Sequence, residues 1–238
     1  MLPFLLLAGL AFPAIAGPEP VPLHHRDCYP MASAVWWAND LGLFDGVPVY
    51  LEEWNRCVGP GANQLQRIDV LDEPGRSALE VLHGIVEQYN RGSTERGIRY
   101  RVEGVGEAWR IVPLVPEPVS SQRVSIRGQR TLVEAEAAIK EELRKAVGVT
   151  FPMPAPFTRE DGPNTVSLDG AEAWSGLHEV FAPHRASPTG WIMRILPPGW
   201  NPEAVGGMGS FQLLDMSAKS EGIPLEMLIQ AHGGRKDH

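Results

Sequence analysis

The sequence predicts an α+β fold of two similar subdomains, each with a small, mostly antiparallel sheet and two helices on one face. The first observation is an apolar pattern, typical of a helix with one buried face, that occurs twice about 95 residues apart. The second is that a short strand and a turn precede each copy, and the third is that two strands bearing aromatic residues follow it. The matching residues are Ala78, Leu79, Leu82, Ile85 and Val86 in the first copy and Ala173, Trp174, Leu177, Val180 and Phe181 in the second.

Each half is predicted to contain a helix, two strands, a second helix and two further strands. In residues 31–115 these elements cover residues 32–39, 47–53, 67–71, 78–86, 98–102 and 108–112. In residues 130–216 they cover residues 131–147, 149–151, 165–168, 171–181, 191–196 and 210–214. Charges surround the apolar face of the helix over 131–147, and Glu136 with Lys140 makes a favourable i, i+4 pair, so we expect a solvated amphipathic helix.

The segments between and after the two halves carry weaker patterns. Residues 116–129 contain two prolines followed by serines, which predicts a linker between the subdomains. Residues 217–238 predict a tail with one weak helix near residues 225–231. The two sheets could pack edge to edge or face to face, and the sequence leaves both arrangements open.

The amino terminus has the pattern of an export signal. Residues 2–10 are apolar, and residues 14–16 read Ala-Ile-Ala, a small-x-small cleavage site. The apolar stretch is too short to span a membrane. We therefore expect residues 1–16 to be removed on export to the periplasm or beyond, residues 17–30 to form a flexible lead-in, and no membrane insertion after cleavage. A buried amino-terminal strand is the alternative, because no Lys or Arg precedes the apolar stretch.

Two cysteines, Cys28 and Cys57, make up the whole cysteine content of the chain. In an oxidising compartment such a pair predicts a disulfide, which would join the start of the first helix to the loop after the first strand. Two unpaired thiols are the alternative. The pair has no CxxC spacing, so it does not predict a metal site.

Charge and motifs narrow the function classes. A net charge of −8 argues against nucleic acid and anionic membrane surfaces as partners, since both need a basic face. The chain has no GxSxG, HExxH or P-loop motif, and we expect no catalytic residue, metal or cofactor. The acidic residues Glu52, Glu53, Asp69 and Asp72 are interpreted as solvated surface. The histidines His83 and His178, which occupy matching repeat positions, are interpreted as residues that flank the core.

Seven tryptophans are many for a chain of 238 residues. Trp109, Trp174 and Trp191 fall on apolar stripes or strands and are predicted to lie in the core. Trp54 and Trp200 fall in predicted loops, where an exposed indole marks a contact surface. Trp37, Trp54 and Trp200 are the candidate binding residues.

The first half resembles the short N-terminal module of secretins and TonB-dependent receptors. The resemblance lies in residues 46–53, 67–72, 77–82, 100–103 and 108–113, and the second half is similar to a diverged copy. It implies a βαββ-type unit that ends in a short hairpin. It also implies a periplasmic interaction or sensing module with no catalytic residues to carry over.

Three functions stay open at this point. The first is a non-catalytic periplasmic binding or scaffold protein with an envelope protein as partner. The second is a small-ligand binder that uses the cleft between the repeats, and the third is an envelope hydrolase with an unrecognised site. For a binding protein, the hairpins over residues 98–112 and 191–214 are the candidate sheet edges for strand addition. Of these two hairpins, the one over residues 191–214 is favoured, because its connection, residues 197–209, is long and carries Trp200. The alternative is that this connection is a flexible insertion with Trp200 packed on its own sheet.

Overall fold

A computed structural model describes residues 28–55, 68–70, 75–92, 97–152, 164–181, 189–196 and 211–216. A 3-10 turn, Val119–Ser121, lies between the third and fourth strands. The helices are α1 (Pro30–Asp40), α2 (Ala78–Gly92), α3 (Leu132–Val147) and α4 (Ala173–Phe181). The strands are β1 (Val49–Trp54), β2 (Tyr100–Val105), β3 (Ala108–Pro113), β4 (Arg123–Arg130), β5 (Asn164–Glu172), β6 (Thr189–Ile195) and β7 (Phe211–Asp215).

One five-stranded sheet takes strands from both halves of the chain, in the order β2-β3-β1-β6-β7. Strand β1 is central and runs parallel to β3 on one side and to β6 on the other. The outer pairs, β2–β3 and β6–β7, are antiparallel hairpins. Gly190 allows β6 to approach β1, because a Cβ atom at this position would clash with the backbone of Val49.

The two faces of this sheet carry two separate cores. Helices α1 and α2 cover one face, and their apolar residues pack on Leu51, Ile111 and Ile192. We call this core 1. Helices α3 and α4 and strands β4 and β5 cover the other face, where they pack on Tyr50 and Trp191. We call this core 2. Alternate residues of β1 therefore contribute to different cores, as the period of two in a strand requires.

The segment predicted as a linker, residues 116–129, is instead part of the fold. Most of it forms the 3-10 turn and strand β4, which pairs with β5 in a two-stranded antiparallel sheet. Val124 and Ile126 of β4 are buried in core 2, whereas Arg123, Ser125 and Arg127 are exposed. This alternation is the pattern of a strand with one buried face, so the prediction of a linker here was wrong.

Helix α3 begins and ends where its sequence dictates. Thr131 and Glu134 form a capping box, in which the Thr131 hydroxyl accepts from the Glu134 N–H and the Glu134 carboxylate accepts from the Thr131 N–H. At the other end, Gly148 adopts a left-handed conformation that ends the helix. The predicted pair of Glu136 and Lys140 is present, but Glu136 is buried, so the helix is less solvated than the sequence indicated.

The α+β class is confirmed, whereas the division into two similar subdomains is not. Leu82, Ile85, Leu177 and Val180 are buried, as the repeat predicted. However, β1 pairs with two parallel neighbours in the main sheet, while its expected counterpart, residues 149–151, makes one antiparallel bridge through Thr150. Residues 68–70 lie outside the strands, although β5 occupies the matching position in the second half.

The last three residues of the predicted lead-in are described, and they belong to the fold. Cys28, Tyr29 and Pro30 are buried, and Tyr29 is 1% exposed. Among the described residues no cysteine is free, but the expected disulfide partner, Cys57, lies outside them, so the bond stays a prediction. The export signal and the tail over residues 217–238 also lie outside the described residues. None of the described helices is long and apolar enough to cross a membrane.

Candidate functional site: the carboxyl end of strand β1

Two acidic residues, Glu52 and Glu53, lie in the middle of the molecule. Both are 0% exposed, because β1 has a strand on each side and a core on each face. Successive strand residues point to opposite faces, so Glu52 lies on the core 2 face and Glu53 on the core 1 face. The expectation that these two residues are solvated surface was therefore wrong.

Glu53 stabilises the start of helix α1. Its Oε1 accepts a hydrogen bond from the N–H of Met31 at 3.0 Å, and its Oε2 accepts one from the N–H of Ala32 at 2.6 Å. The residue before the helix, Tyr29, makes no side-chain cap bond of its own. A carboxylate from β1 thus replaces the local cap and meets the positive end of the helix dipole.

Glu52 does the same for the 3-10 turn on the other face. Its two oxygens accept hydrogen bonds from the N–H groups of Val119, at 3.1 Å, and Ser120, at 2.7 Å. The indole Nε1 of Trp54 donates a third hydrogen bond to Glu52, at 3.2 Å. Burial raises the pKa of the Glu52 carboxyl, and the hydrogen bonds from Ser120, Val119 and Trp54 oppose this rise.

Tyrosines complete the surroundings of the two carboxylates. The hydroxyl of Tyr100 accepts a hydrogen bond from the backbone N–H of Trp54 at 3.0 Å, and Tyr100 is 2% exposed. Burial, together with the nearby charges of Tyr89, Glu53 and Glu52, raises the pKa of Tyr100 well above its ordinary value. Burial likewise raises the pKa of Tyr29. The hydroxyl groups of Tyr100 and Tyr29 therefore stay protonated near neutral pH.

A second polar cluster lies on the core 2 face, one row of residues away. The Tyr50 hydroxyl and the Nδ1 atom of His178 are 2.9 Å apart, and burial raises the pKa of Tyr50 to about 12. The rings of Trp174 and Trp191 pack on Tyr50 at centroid distances of 5.7 and 5.3 Å. The Arg110 guanidinium lies over the Trp174 ring. The two tryptophan rings thus pack on the Tyr50 side of the Tyr50–His178 pair, and His178 is half-buried.

The structure separates the candidate binding residues. Trp54 is the last residue of β1; it is half-buried and packs against core 2. Trp37 lies on helix α1, which covers the opposite face of the sheet, and Trp36 packs edge-on against it. Trp37 and Trp54 therefore do not line one cleft. Trp200 lies outside the described residues.

The remaining candidates are distributed as follows. Trp191 is buried, and Trp109 and Trp174 are partly buried against the two cores, which agrees with their predicted core role. His83 is exposed on α2, and Asp69 is exposed as well. Asp72 lies outside the described residues. Within the described part of the chain, no group of three or more His, Cys, Asp or Glu residues could hold a metal ion.

The chemistry open to Glu52 and Glu53 follows from their geometry. Two carboxylates that share a proton must face each other, whereas these two point to opposite faces of one strand. Each also accepts two backbone hydrogen bonds, as a structural cap does. One feature of the sequence could have indicated these buried carboxylates, since the two acidic residues lie between Leu51 and Trp54 in an otherwise apolar strand. No protein-family model, curated protein or solved structure matches the chain.

Proposed function

We propose that this protein is an exported, non-catalytic binding or scaffold protein of the cell envelope. The observation that carries the proposal is the use of the central carboxylates. Glu52 and Glu53 are the acidic residues best placed for chemistry, at the carboxyl end of a central parallel strand, and both are committed to backbone N–H groups.

The Tyr50–His178 pair supports the same proposal. A general base needs a nucleophile or a water-accessible substrate position within hydrogen-bond reach. The His178 Nδ1 atom lies within hydrogen-bond distance of the Tyr50 phenol, whose raised pKa opposes its use as a nucleophile. The rings of Trp174 and Trp191 pack on Tyr50. The Tyr50–His178 pair therefore fits a packing role better than a catalytic role in an envelope hydrolase.

The ligand-binding alternative has less support. It expected a cleft between the two repeats with Trp54, Trp37 or Trp200 at its mouth. The two halves instead share one sheet, and Trp37 and Trp54 belong to opposite faces. Protein binding needs no such cleft, because hairpins from both halves supply the edges of the sheet, β2 and β7.

Affinity capture from an envelope fraction of the native host tests the proposal. The purified wild type is compared with Trp54→Ala and Trp200→Ala, and Val133→Ser serves as the control because Val133 is an exposed apolar residue of α3. Circular dichroism and thermal unfolding verify that each variant folds. We expect the wild type and the control to capture the same defined protein, and a tryptophan variant to lose it.

Two outcomes would count against the proposal. If both tryptophan variants retain every captured partner, the tryptophans have no binding role. If the protein turns over an envelope substrate, and Glu52→Gln or His178→Ala abolishes that turnover without changing stability, then the protein is an enzyme.

A further inference from the structure

Strand β2 is an edge of the main sheet with backbone groups that point away from the sheet. The N–H of Leu114 donates to the carbonyl of Arg99, so these two residues form a hydrogen-bonded pair of the β2–β3 ladder. Such pairs alternate along an antiparallel ladder. The N–H and C=O groups of Tyr100, Val102 and Gly104 therefore point outward, away from β3.

The side chain of Asn90 binds the outward backbone groups of Tyr100, at the amino-terminal end of β2. Its Oδ1 accepts from the N–H of Tyr100 at 2.9 Å, and its Nδ2 donates to the carbonyl of Tyr100 at 2.8 Å. The amide thus takes the place of a neighbouring strand. Within the described structure, no hydrogen bond engages the four outward groups of Val102 and Gly104, and Gly104 is exposed.

The side chains of β2 differ on its two faces. On the core 1 face, Val102 is half-buried, and the partly buried ring of the cross-strand neighbour Trp109 packs beside Gly104. A Cβ atom at Gly104 would lie 3.2 Å from that ring. On the core 2 face, the Glu103 carboxylate lies between Arg101, at 2.6 Å, and Arg110, at 2.8 Å. Arg101 and Glu103 retain side-chain exposures of 43% and 25%.

We propose that a second copy of this chain adds to β2 as an antiparallel strand, with a two-fold axis beside Glu103. Val102 of each copy then pairs with Gly104 of the other. This register satisfies the four outward backbone groups of one copy with the same four groups of its mate. The mate's β2 ends at Val105, which lies opposite Arg101, so no residue of the mate's strand lies opposite Tyr100 and its partner Asn90. The main sheets of the two copies become one continuous sheet.

The side chains of β2 fit this register. Val102 of one copy lies beside Gly104 of the other, where its apolar β-branched side chain contacts the Trp109 ring that packs on this glycine. The two Glu103 carboxylates face each other across the axis, but each already binds two guanidinium groups. Arg101 of one copy lies diagonally opposite Glu103 of the other. The two glutamates and four arginines form a cluster in which opposite charges alternate.

The register shifted by two residues fits less well. With the axis at Val102, Gly104 of one copy would face Tyr100 of the other, where the Asn90 side chain occupies the outward position. Fewer backbone groups would then pair. This difference makes the register itself testable.

Sedimentation velocity of the purified protein over a concentration series tests the dimer. We expect the wild type and Val102→Thr, which keeps the backbone N–H, to dimerise with rising concentration. We expect Val102→Pro to stay monomeric, because proline removes an outward N–H that the chain's own sheet does not use. Circular dichroism checks that this variant folds. A wild type that is monomeric at every concentration, or a folded Val102→Pro variant that dimerises as well as the wild type, would overturn the proposal.

Cross-linking tests the register and remains informative if Val102→Pro fails to fold. Directly opposite residues in a non-hydrogen-bonded pair have Cα atoms about 4.5 Å apart, within the range of a disulfide. Glu103→Cys should therefore give a disulfide-linked dimer on mild oxidation. Arg101→Cys is the matched control, since the two copies of residue 101 lie about 13 Å apart along the strands. Cross-linking through Arg101→Cys but not through Glu103→Cys would contradict the proposed register. The proposal of a dimer would also be contradicted if the wild type is a monomer and the Val102→Pro substitution abolishes binding of a different protein.

Discussion

Glu52 and Glu53 are neighbours in the sequence, yet they stabilise elements on opposite faces of the sheet. Glu53 caps helix α1 and Glu52 caps the 3-10 turn, in each case through two backbone N–H groups. Each bond crosses a large sequence separation, so the carboxylates also fix the position of these elements on β1. Removal of one acceptor oxygen leaves a buried N–H without its partner, which costs free energy.

Glu53→Gln tests the structural role of this carboxylate. A glutamine side chain can accept with one oxygen only, and its amide group would meet a backbone N–H as a second donor. We expect the free energy of unfolding to fall by about 1–3 kcal/mol, measured by urea denaturation. Glu107→Gln is the control, because Glu107 is exposed in the β2–β3 turn. Equal stability of the two variants would contradict the capping role.

The raised pKa of Glu52 predicts a pH dependence. Because burial lifts this pKa above its ordinary value of 4.5, the folded protein holds the proton more tightly than the unfolded chain does. The resulting stability is complete below the unfolded pKa and is lost as pH rises through the folded pKa. We expect the free energy of unfolding of the wild type, minus that of Glu52→Gln, to decrease as pH rises from about 4. A difference that is flat, or that increases with pH, would exclude a raised pKa.

At the scale of elements, strand β4 shows how a short apolar alternation contributes to the fold. Residues Val124 and Ile126 bring the β4–β5 sheet onto core 2, beside helices α3 and α4. The prolines and serines that precede the strand made the segment resemble a linker. Both the 3-10 turn and β4 belong to the fold, because Val119 of the turn is buried in core 2 together with Val124 and Ile126.

Ile126→Ala tests whether β4 belongs to the folded core. Ile126 is 5% exposed, so truncation should leave a cavity and lower the free energy of unfolding by about 2–5 kcal/mol. Arg127→Ala is the matched control on the same strand, since the Arg127 side chain is 69% exposed in its ion pair with Asp169. We expect the control to change stability by less than about 0.5 kcal/mol. A true linker would give small changes for both variants in chemical denaturation.

Local sequence patterns predicted many of the helices and strands, but they did not predict which distant strands pair. The apolar stripes of α2 and α4, and the hairpin of β2 and β3, are encoded within a few residues. The parallel pairing of Leu51 with Ile192 joins residues from opposite halves, and no local pattern specifies it. The same reason explains Glu52 and Glu53: an acidic residue is solvated by default, and only the position of β1 between two strands and two cores buries it.

At the scale of the whole molecule, the two halves of the sequence form one unit. Strand β1 joins the hairpin of the first half to the hairpin of the second, and cores 1 and 2 lie back to back on the shared sheet. Leu82 and Leu177, which match in the sequence pattern, consequently lie in different cores of the same structure. The shared sheet accounts for the burial of both cores without two separate subdomains.

The predicted Cys28–Cys57 disulfide would tie the residues just before α1 to the segment that follows β1 in the sequence. Closing a loop of this length stabilises a protein by about 3–4 kcal/mol in the chain-entropy model. We expect mass spectrometry of the unreduced protein to find both cysteines in one cross-linked peptide pair, and Cys28→Ser with Cys57→Ser to lower the melting temperature. Two alkylated thiols in the unreduced protein would contradict the disulfide.

The most direct test of the single shared sheet is the number of unfolding transitions. Leu82→Ala and Leu177→Ala are a matched pair, since each truncates a buried leucine, 0% and 1% exposed, in a different core. We expect circular dichroism and tryptophan fluorescence to report one coincident thermal transition in the wild type. Each variant should shift that whole transition, with a loss of about 2–5 kcal/mol. Two separate transitions, of which Leu82→Ala moves one and Leu177→Ala the other, would contradict the shared sheet and restore two independent subdomains.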